Sequence, residues 1–145
     1  MLDGLGLIAG VHSNSGCVDS RNGDLEKAIS HVTEAIRLDP KSSRAYRNRG
    51  LMYATRRDYS LAIADFTQAI RLDPKDAVGY IVRGACHTER GSYDLAIADL
   101  TEAIRLDPRL VDAYVARAAA YEAKGDKARA ADDRATYNKL KPASE

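Results

Sequence analysis

The chain has 145 residues, of which 45% are hydrophobic and 30% are charged, and its net charge at pH 7 is +1. This length and composition are typical of one globular domain, and the even mixture of Lys/Arg with Asp/Glu argues against a surface that binds nucleic acid or anionic lipid. No run of apolar residues approaches the roughly 18–20 that a membrane-spanning helix needs, so membrane insertion is not expected.

Residues 1–23 give a weak structural signal. Residues 1–10 are mildly apolar but contain Asp3 and no Lys or Arg, which is a poor match to a signal peptide. Residues 11–17 are rich in poor helix formers. We therefore expect residues 1–23 to form a poorly ordered or vestigial first helix, or the chain to begin inside a longer array, and we favour the second explanation.

The cysteines and histidines give no pattern of a metal or redox site. Cys17 and Cys86 are too few and too far apart for a disulfide framework, and two free thiols fit a reducing cytoplasm. We expect a cytoplasmic protein, or a periplasmic one if the chain is truncated at its N-terminus. Because His12, His31 and His87 occupy unrelated positions, we expect neither a metal nor another cofactor.

A ten-residue pattern occurs three times and organises the rest of the chain. It occupies residues 31–40, 65–74 and 99–108, and each copy ends in Ala-Ile-Arg-Leu-Asp-Pro. The closing prolines are 34 residues apart, and Pro142 falls on the same spacing. A period of this length is typical of stacked helical hairpins, each of which buries its apolar face against its neighbours.

Apolar residues at helical spacing predict two amphipathic helices in each full repeat. The boundaries follow from the period: a second helix of repeat 1 in 24–42, repeat 2 in 43–76, repeat 3 in 77–110, and repeat 4 with a C-terminal cap in 111–145. The second helices are predicted at about residues 24–38, 59–72, 93–106 and 127–140.

The turns inside the hairpins are marked by glycine. Gly23, Gly91 and Gly125 are predicted to lie in these turns, where a left-handed conformation favours glycine, whereas Arg57 breaks the pattern. The Asp-Pro dipeptide that closes each repeat is predicted to end the second helix, and its Asp side chain to serve the turn.

Two recurring sets of residues predict packing rather than chemistry. Small residues recur in the first helices at Gly50, Gly84 and Ala118. They are predicted to allow close approach of the second helix at Ala62, Ala96 or Ala130. Charged residues recur in both helices and predict ion pairs within each repeat, between Arg49, Arg83 or Arg117 and Asp65, Asp99 or Asp133.

Together these residues resemble the tetratricopeptide repeat over about residues 24–142. The resemblance rests on an aromatic and a small residue in the first helix and on a small–aromatic–small pattern closed by proline in the second: Tyr46, Gly50, Ala62, Phe66, Ala69 and Pro74, repeated as Tyr80, Gly84, Ala96, Leu100, Ala103 and Pro108. The resemblance implies an all-α fold, a right-handed superhelical solenoid of about 3.5 repeats and seven helices. It also implies a non-catalytic scaffold or adaptor that binds proteins.

In this family the first helices line a concave groove that binds a peptide or protein segment. The groove positions differ between the repeats: Arg44, Arg47, Asn48, Leu51 and Thr55, then Val78, Ile81, Ala85, Thr88 and Glu89, then Asp112, Val115, Ala119 and Glu122. The predicted groove grades from basic through apolar to acidic. We expect an acidic part of a peptide near Arg44 and Arg47, and an apolar anchor over Ile81, Ala85 and Val115.

Other functions are less favoured by the sequence. An alternative is self-association through exposed terminal helices, which would make the chain a structural building block of a homo-oligomer. No Ser/His/Asp or Cys/His arrangement and no Gly-rich phosphate loop is visible, so an enzyme is not expected.

Some family members clamp the C-terminal carboxylate of heat-shock chaperones with polar and basic side chains. Val82, Ala116 and Asp112 stand at neighbouring positions here, so we do not expect such a clamp.

Overall fold

The computed structural model describes residues 21–141 of the chain. Over this range it contains seven α-helices and no strand: α1 Arg21–Leu38, α2 Ser43–Thr55, α3 Tyr59–Leu72, α4 Ala77–Glu89, α5 Tyr93–Leu106, α6 Val111–Lys124 and α7 Lys127–Leu140. The all-α prediction with seven helices is confirmed, and α3, α5 and α7 have the bounds that the repeat predicts. No helix in this part of the chain is long and apolar enough to cross a membrane.

Helix α1 differs from the prediction at its N-terminal end. The helix is already formed at Arg21, and Gly23 lies within its first turn without the left-handed backbone that a turn glycine would have. The prediction of a turn at Gly23 is therefore wrong, since glycine weakens a helix by about 1 kcal/mol but does not exclude one. The expectations for residues 1–20, which include His12 and Cys17, lie outside the described residues.

Contacts between helices divide the chain into two compact units, Met1–Pro74 and Lys75–Glu145. In the described part of the first unit, α2 packs against both α1 and α3. In the second unit, α4 pairs with α5 and α6 pairs with α7, while α6 also contacts α4 and α5. Adjacent helices joined by such short turns run antiparallel, so α4 and α6 run in the same direction.

The hairpin turns use a left-handed residue, as predicted for Gly91 and Gly125. Their φ angles are 82° and 101°, and Arg57 adopts the same conformation with φ 68°. The N–H of Asp58 donates to the carbonyl oxygen of Tyr53 at 2.8 Å, which closes the helix end with a bond across five residues. The backbone geometry of the turn is thus kept where glycine is missing.

The small residues of α2 and α4 are required by the packing of each hairpin. A Cβ atom on Gly50 would lie 2.9 Å from the ring of Phe66, and one on Gly84 would lie 2.8 Å from Cγ of Leu100. The predicted approach of the second-helix alanine is found at Gly84, whose Cβ would lie 3.2 Å from the carbonyl oxygen of Ala96. At Gly50 the close neighbour is the aromatic ring instead.

The closing Asp-Pro dipeptides serve the turns, as predicted. Asp39 accepts a hydrogen bond from the N–H of Lys41 at 3.3 Å, and Asp107 accepts one from the N–H of Arg109 at 3.1 Å. The next helix is then capped: the hydroxyl of Ser42 accepts from the N–H of the residue three positions later at 3.1 Å. These side chains hold the start of the first helices that carry the candidate site.

Candidate functional site

The recurring arginines, which are the obvious candidates for an anion site, are bound to carboxylates. In each pair Nε donates to Oδ2 at 2.8–2.9 Å and Nη2 donates to Oδ1 at 2.7–2.8 Å. The predicted pairs are confirmed in all three repeats: Arg49–Asp65, Arg83–Asp99 and Arg117–Asp133. The hydrogen bonds to the carboxylates raise the pKa of each arginine, so these residues hold the hairpins together.

Arg49 and Arg117 also reach the preceding helix. Arg49 donates through Nη1 to the hydroxyl of Thr33 on α1, and Arg117 donates through Nη1 to the hydroxyl of Thr101 on α5, both at 3.1 Å. Each guanidinium therefore joins its own hairpin to its predecessor within the same unit. Guanidinium groups engaged in this way have few donors left for a ligand.

In the first unit, the predicted groove residues lie on α2. Arg44 and Thr55 are exposed, Arg47 and Asn48 are half-buried, and Leu51 is buried with 8% of its surface accessible. The hydroxyl of Thr55 donates to the carbonyl oxygen of Leu51 at 3.0 Å. The accessible part of this face is therefore basic and polar.

In the second unit, the predicted groove residues lie on α4 and α6. Val78, Glu89, Asp112, Ala119 and Glu122 are exposed, whereas Ala85, Thr88 and Val115 are half-buried. The hydroxyl of Thr88 is already engaged, since it donates to the carbonyl oxygen of Gly84 at 3.1 Å.

Ile81 does not lie on an accessible surface. Only 3% of the residue is exposed, and it forms a core cluster with Leu100, Ala103 and Ala113. The expectation that Ile81 anchors a ligand is therefore wrong. The reason is that α4 packs against α6 as well as α5, so a second stripe of α4 is covered.

The remaining accessible residues of α4 and α6 form one surface, which we call the α4–α6 face. It consists of Val78, Ala85 and Glu89 of α4 and Asp112, Val115 and Ala119 of α6, which follow helical spacings of three, four and seven. Val78 is 42% exposed. Small apolar side chains thus occupy the middle of this face. Because α4 and α6 run in the same direction, Asp112 and Glu89 lie toward its opposite ends.

The α4–α6 face carries negative charge. Within residues 21–141, the carboxylates of Glu89 and Asp112 make no hydrogen bond or ion pair. The nearest recurring cations, Arg83 and Arg117, are bound to aspartates of their own hairpins. Exposed carboxylates beside an apolar strip favour a cationic binding partner over an anionic one.

Arg134 has a role that the sequence reasoning missed. It stands where the repeat pattern has an aromatic residue, and through Nη2 it donates to Oε1 of Glu122. Glu122 is therefore neutralised, unlike Glu89 and Asp112. The signal in the sequence is the departure of Arg134 from the repeat pattern.

The nucleophilic and imidazole side chains of α4 are enclosed. Cys86 is a free, buried thiol, and burial raises its pKa to about 12, so it remains protonated and unreactive near neutral pH. Burial also lowers the pKa of His87; the charge of Asp99, whose Oδ2 lies 3.8 Å from Nε2 of His87, opposes this shift, and the charges of Arg83 and Arg90 add to it. In the part of the chain that the structure describes, no group of three or more His, Cys, Asp or Glu could hold a metal ion.

The fold and these faces define an array of helical hairpins with variable surfaces on the first helices. Models of the tetratricopeptide repeat match residues 18–83 and 84–125. The chain belongs to the tetratricopeptide repeat family. No curated protein matches it in sequence.

Solved structures with the same fold include peptide complexes. The chain is 33% identical in sequence to the repeat domain in the TPR2B-domain:pHsp70 complex of yeast Sti1; the TM-score is 0.67, and the match covers 68% of this chain and 78% of the Sti1 chain. It is 27% identical to the second TPR of Spaghetti (RPAP3) bound to the HSP90 peptide SRMEEVD; the TM-score is 0.67, and the match covers 74% of this chain and 99% of the RPAP3 chain. MamA shares the fold at 24% identity, with a TM-score of 0.80 over 86% and 74%.

Proposed function

We propose that this protein is a non-catalytic interaction scaffold that binds a segment of a partner protein on its first helices. The observation that carries the proposal is the contrast between invariant and variable positions. The Arg–Asp pairs and the small residues recur in every repeat because the hairpins need them. The accessible positions of α2, α4 and α6 differ between the repeats. Accessible positions that vary while the packing residues recur are suited to recognition.

The related structures support a peptide or protein segment as the ligand. The Sti1 and RPAP3 repeat domains were solved as complexes, the first with pHsp70 and the second with an HSP90 peptide. Both are at least 27% identical to this chain and cover more than two thirds of it. We therefore assign the ligand to the same chemical class, without assigning the same chaperones.

Each unit offers its own contribution to binding. In the first unit, Arg44 and Arg47 present positive charge suited to an acidic part of the partner. In the second unit, Val78, Ala85 and Val115 present the apolar contact, in place of the buried Ile81. Charged contacts fix orientation, and the desolvated apolar contact supplies much of the affinity.

The first test is a selection of random displayed peptides on the purified chain. Recovered peptides are synthesised with a fluorophore, and their dissociation constants are measured by fluorescence anisotropy. Arg44→Glu and Val78→Asp should each weaken binding by roughly tenfold or more, which corresponds to about 1.4 kcal/mol. Circular dichroism establishes that the variants keep the helical fold.

Matched controls carry the same changes away from these faces. Lys27→Glu reverses one exposed charge on α1, and Leu95→Asp replaces an exposed apolar residue on α5 that is 57% accessible. Both should leave the dissociation constant within about twofold, as expected for surface changes outside the contact. If the control and test variants lose affinity equally, the proposed binding faces are wrong.

Self-association through the terminal helices is the competing function. Sedimentation equilibrium over a range of concentrations measures it directly. A mass that rises with concentration, together with no recovered peptide, would replace the scaffold proposal with an oligomer building block. A monomer that binds recovered peptides supports the scaffold.

A further inference from the structure

We infer that the α4–α6 face selects a partner segment that has an apolar centre and a lysine or arginine at each end, and that it rejects acidic segments. This inference rests on the proposed function and names the chemistry of the ligand for one of its faces.

The carboxylates at the two ends of the face are available, whereas its cations are not. Glu89 is the last residue of α4 and is exposed, and Asp112 lies in the first turn of α6 and is exposed. Neither has a partner among the described residues. Arg117 donates to Asp133 and Thr101, so this guanidinium does not offset them.

The spacing of the carboxylates sets the length of the ligand. Asp112 lies at the start of α6, and Glu89 lies level with the last turn of that helix, roughly ten residues along it. At about 1.5 Å per residue this separation is roughly 15 Å along the helix axis. An extended peptide advances about 3.3 Å per residue, so the two cations are separated by about four residues. Between the two carboxylates, Ala85, Val115 and Ala119 leave room for apolar side chains.

The pair of Glu122 and Arg134 sharpens this selectivity. Because Arg134 donates to Glu122, the end of the face near Glu89 carries one uncompensated charge rather than two. One positively charged ligand residue at each end therefore compensates the negative charges of Glu89 and Asp112. An acidic segment such as SRMEEVD, which RPAP3 binds, would instead place like charges beside Glu89 and Asp112.

The test compares two probe peptides of the same length on the complete chain. One is KMAVVK, which has an apolar centre and a lysine at each end, and the other is EMAVVE, in which both lysines are replaced by glutamate. We expect KMAVVK to bind at least roughly tenfold more tightly than EMAVVE at low salt by fluorescence anisotropy, measured on the Arg44→Gln variant so that the basic face of the first unit does not hold the acidic probe. The preference should shrink as salt is raised, because exposed charges are screened over about 10 Å at 0.1 M.

Single charge reversals locate the preference. Glu89→Lys and Asp112→Lys should each reduce the preference for KMAVVK severalfold, and the double variant should abolish or invert it. Asp132→Lys is the matched control, since it makes the same change at an exposed residue of α7 whose carboxylate has no bond among the described residues. It should leave the preference unchanged.

The outcomes separate this inference from the proposed function. If the binders that Glu89→Lys and Asp112→Lys weaken are acidic, or if these two changes leave the preference between the probes unaffected, the inference is overturned while the scaffold function stands. If neither the selection nor the two probes give any binding, both fail. A preference for KMAVVK that is equally lost in Asp132→Lys reflects net charge alone and also overturns the inference.

Discussion

At the scale of single residues, Arg57 shows how a repeat tolerates the wrong amino acid. Its backbone has φ 68°, in the region where Gly91 and Gly125 occupy the equivalent turns. A side chain in this conformation destabilises the folded state by roughly 1–2 kcal/mol relative to glycine. The net cost is smaller, because glycine loses more conformational entropy on folding. The exposed side chain contributes no contact that would keep arginine here.

We predict that Arg57→Gly stabilises the protein by about 0.5–1 kcal/mol. The free energy of unfolding is measured by urea denaturation. The reciprocal change, Gly125→Arg, should destabilise it by a comparable amount, since it places a side chain at φ 101°. A destabilised Arg57→Gly variant would mean that the arginine side chain makes a stabilising contact.

The Arg–Asp pairs lead to a second residue-scale prediction. In the Arg117–Asp133 pair the side chains are 19% and 6% exposed. Asp133→Asn should destabilise the protein by about 2 kcal/mol, below the roughly 3–5 kcal/mol of a fully buried pair because Arg117 retains some solvent. The double variant Arg117→Met/Asp133→Leu should be destabilised by less than the sum of the single variants Arg117→Met and Asp133→Leu. Urea unfolding of the wild type, these two single variants and the double variant gives the coupling energy, and strict additivity would exclude an interaction.

At the scale of helices, the space between the two helices of a hairpin is set by the pairing of a small residue with a large one. Gly50 faces the ring of Phe66, and Gly84 faces Leu100. In the last repeat the equivalent positions hold Ala118 and Arg134, and Arg134 is exposed and bonded to Glu122. Alanine is therefore accepted where the partner side chain points to solvent.

We predict that Gly50→Ala destabilises the protein, although alanine is the better helix former by about 1 kcal/mol. The new Cβ would lie 2.9 Å from the ring of Phe66, which is fully buried and cannot move aside. Gly23→Ala in α1 is the control, because nothing lies within 4 Å of its Cβ. That variant should be stabilised by a few tenths to about 1 kcal/mol. Shifts of the same sign in thermal unfolding of both variants would argue against the clash.

The helices themselves could be predicted from sequence because each carries two independent signals, the apolar spacing and the period. Helices α3, α5 and α7 follow the prediction to the residue, and the Arg–Asp pairs follow from their fixed separation of 16 residues. The error at Ile81 has a different origin. A helical pattern identifies one packing face of α4, but it does not reveal that α6 covers a second stripe. The contact between Arg134 and Glu122 was missed for a similar reason, since it joins residues outside the repeated positions.

At the scale of the whole molecule, one histidine gives the stability a dependence on pH. His87 stands where Tyr53 and Tyr121 occur in the other repeats, and burial lowers its pKa below the ordinary value of 6.5. The unfolded chain therefore binds a proton at His87 before the folded chain does. The contribution of neutral His87 is fully present above pH 6.5 and is lost as the pH falls toward the lowered pKa.

We predict that the wild-type protein loses more stability between pH 8 and pH 5.5 than His87→Tyr does. The urea midpoint at the two pH values measures this difference. His87→Gln is the second comparison, because it removes the titration without adding an aromatic ring. If all three proteins lose the same stability over this interval, the pKa of His87 is not lowered by folding.

The hydrogen bonds from Arg49 to Thr33 and from Arg117 to Thr101 bear on how the protein opens. One guanidinium closes its own hairpin through an aspartate and also reaches the helix before it through a threonine. A hairpin therefore cannot separate from its predecessor without disturbing the group that holds its own two helices together. Amide protons of α6 and α7 should then exchange with solvent as one cooperative group, and the Thr101→Val variant should let these two helices exchange faster while the amides of α4 remain protected.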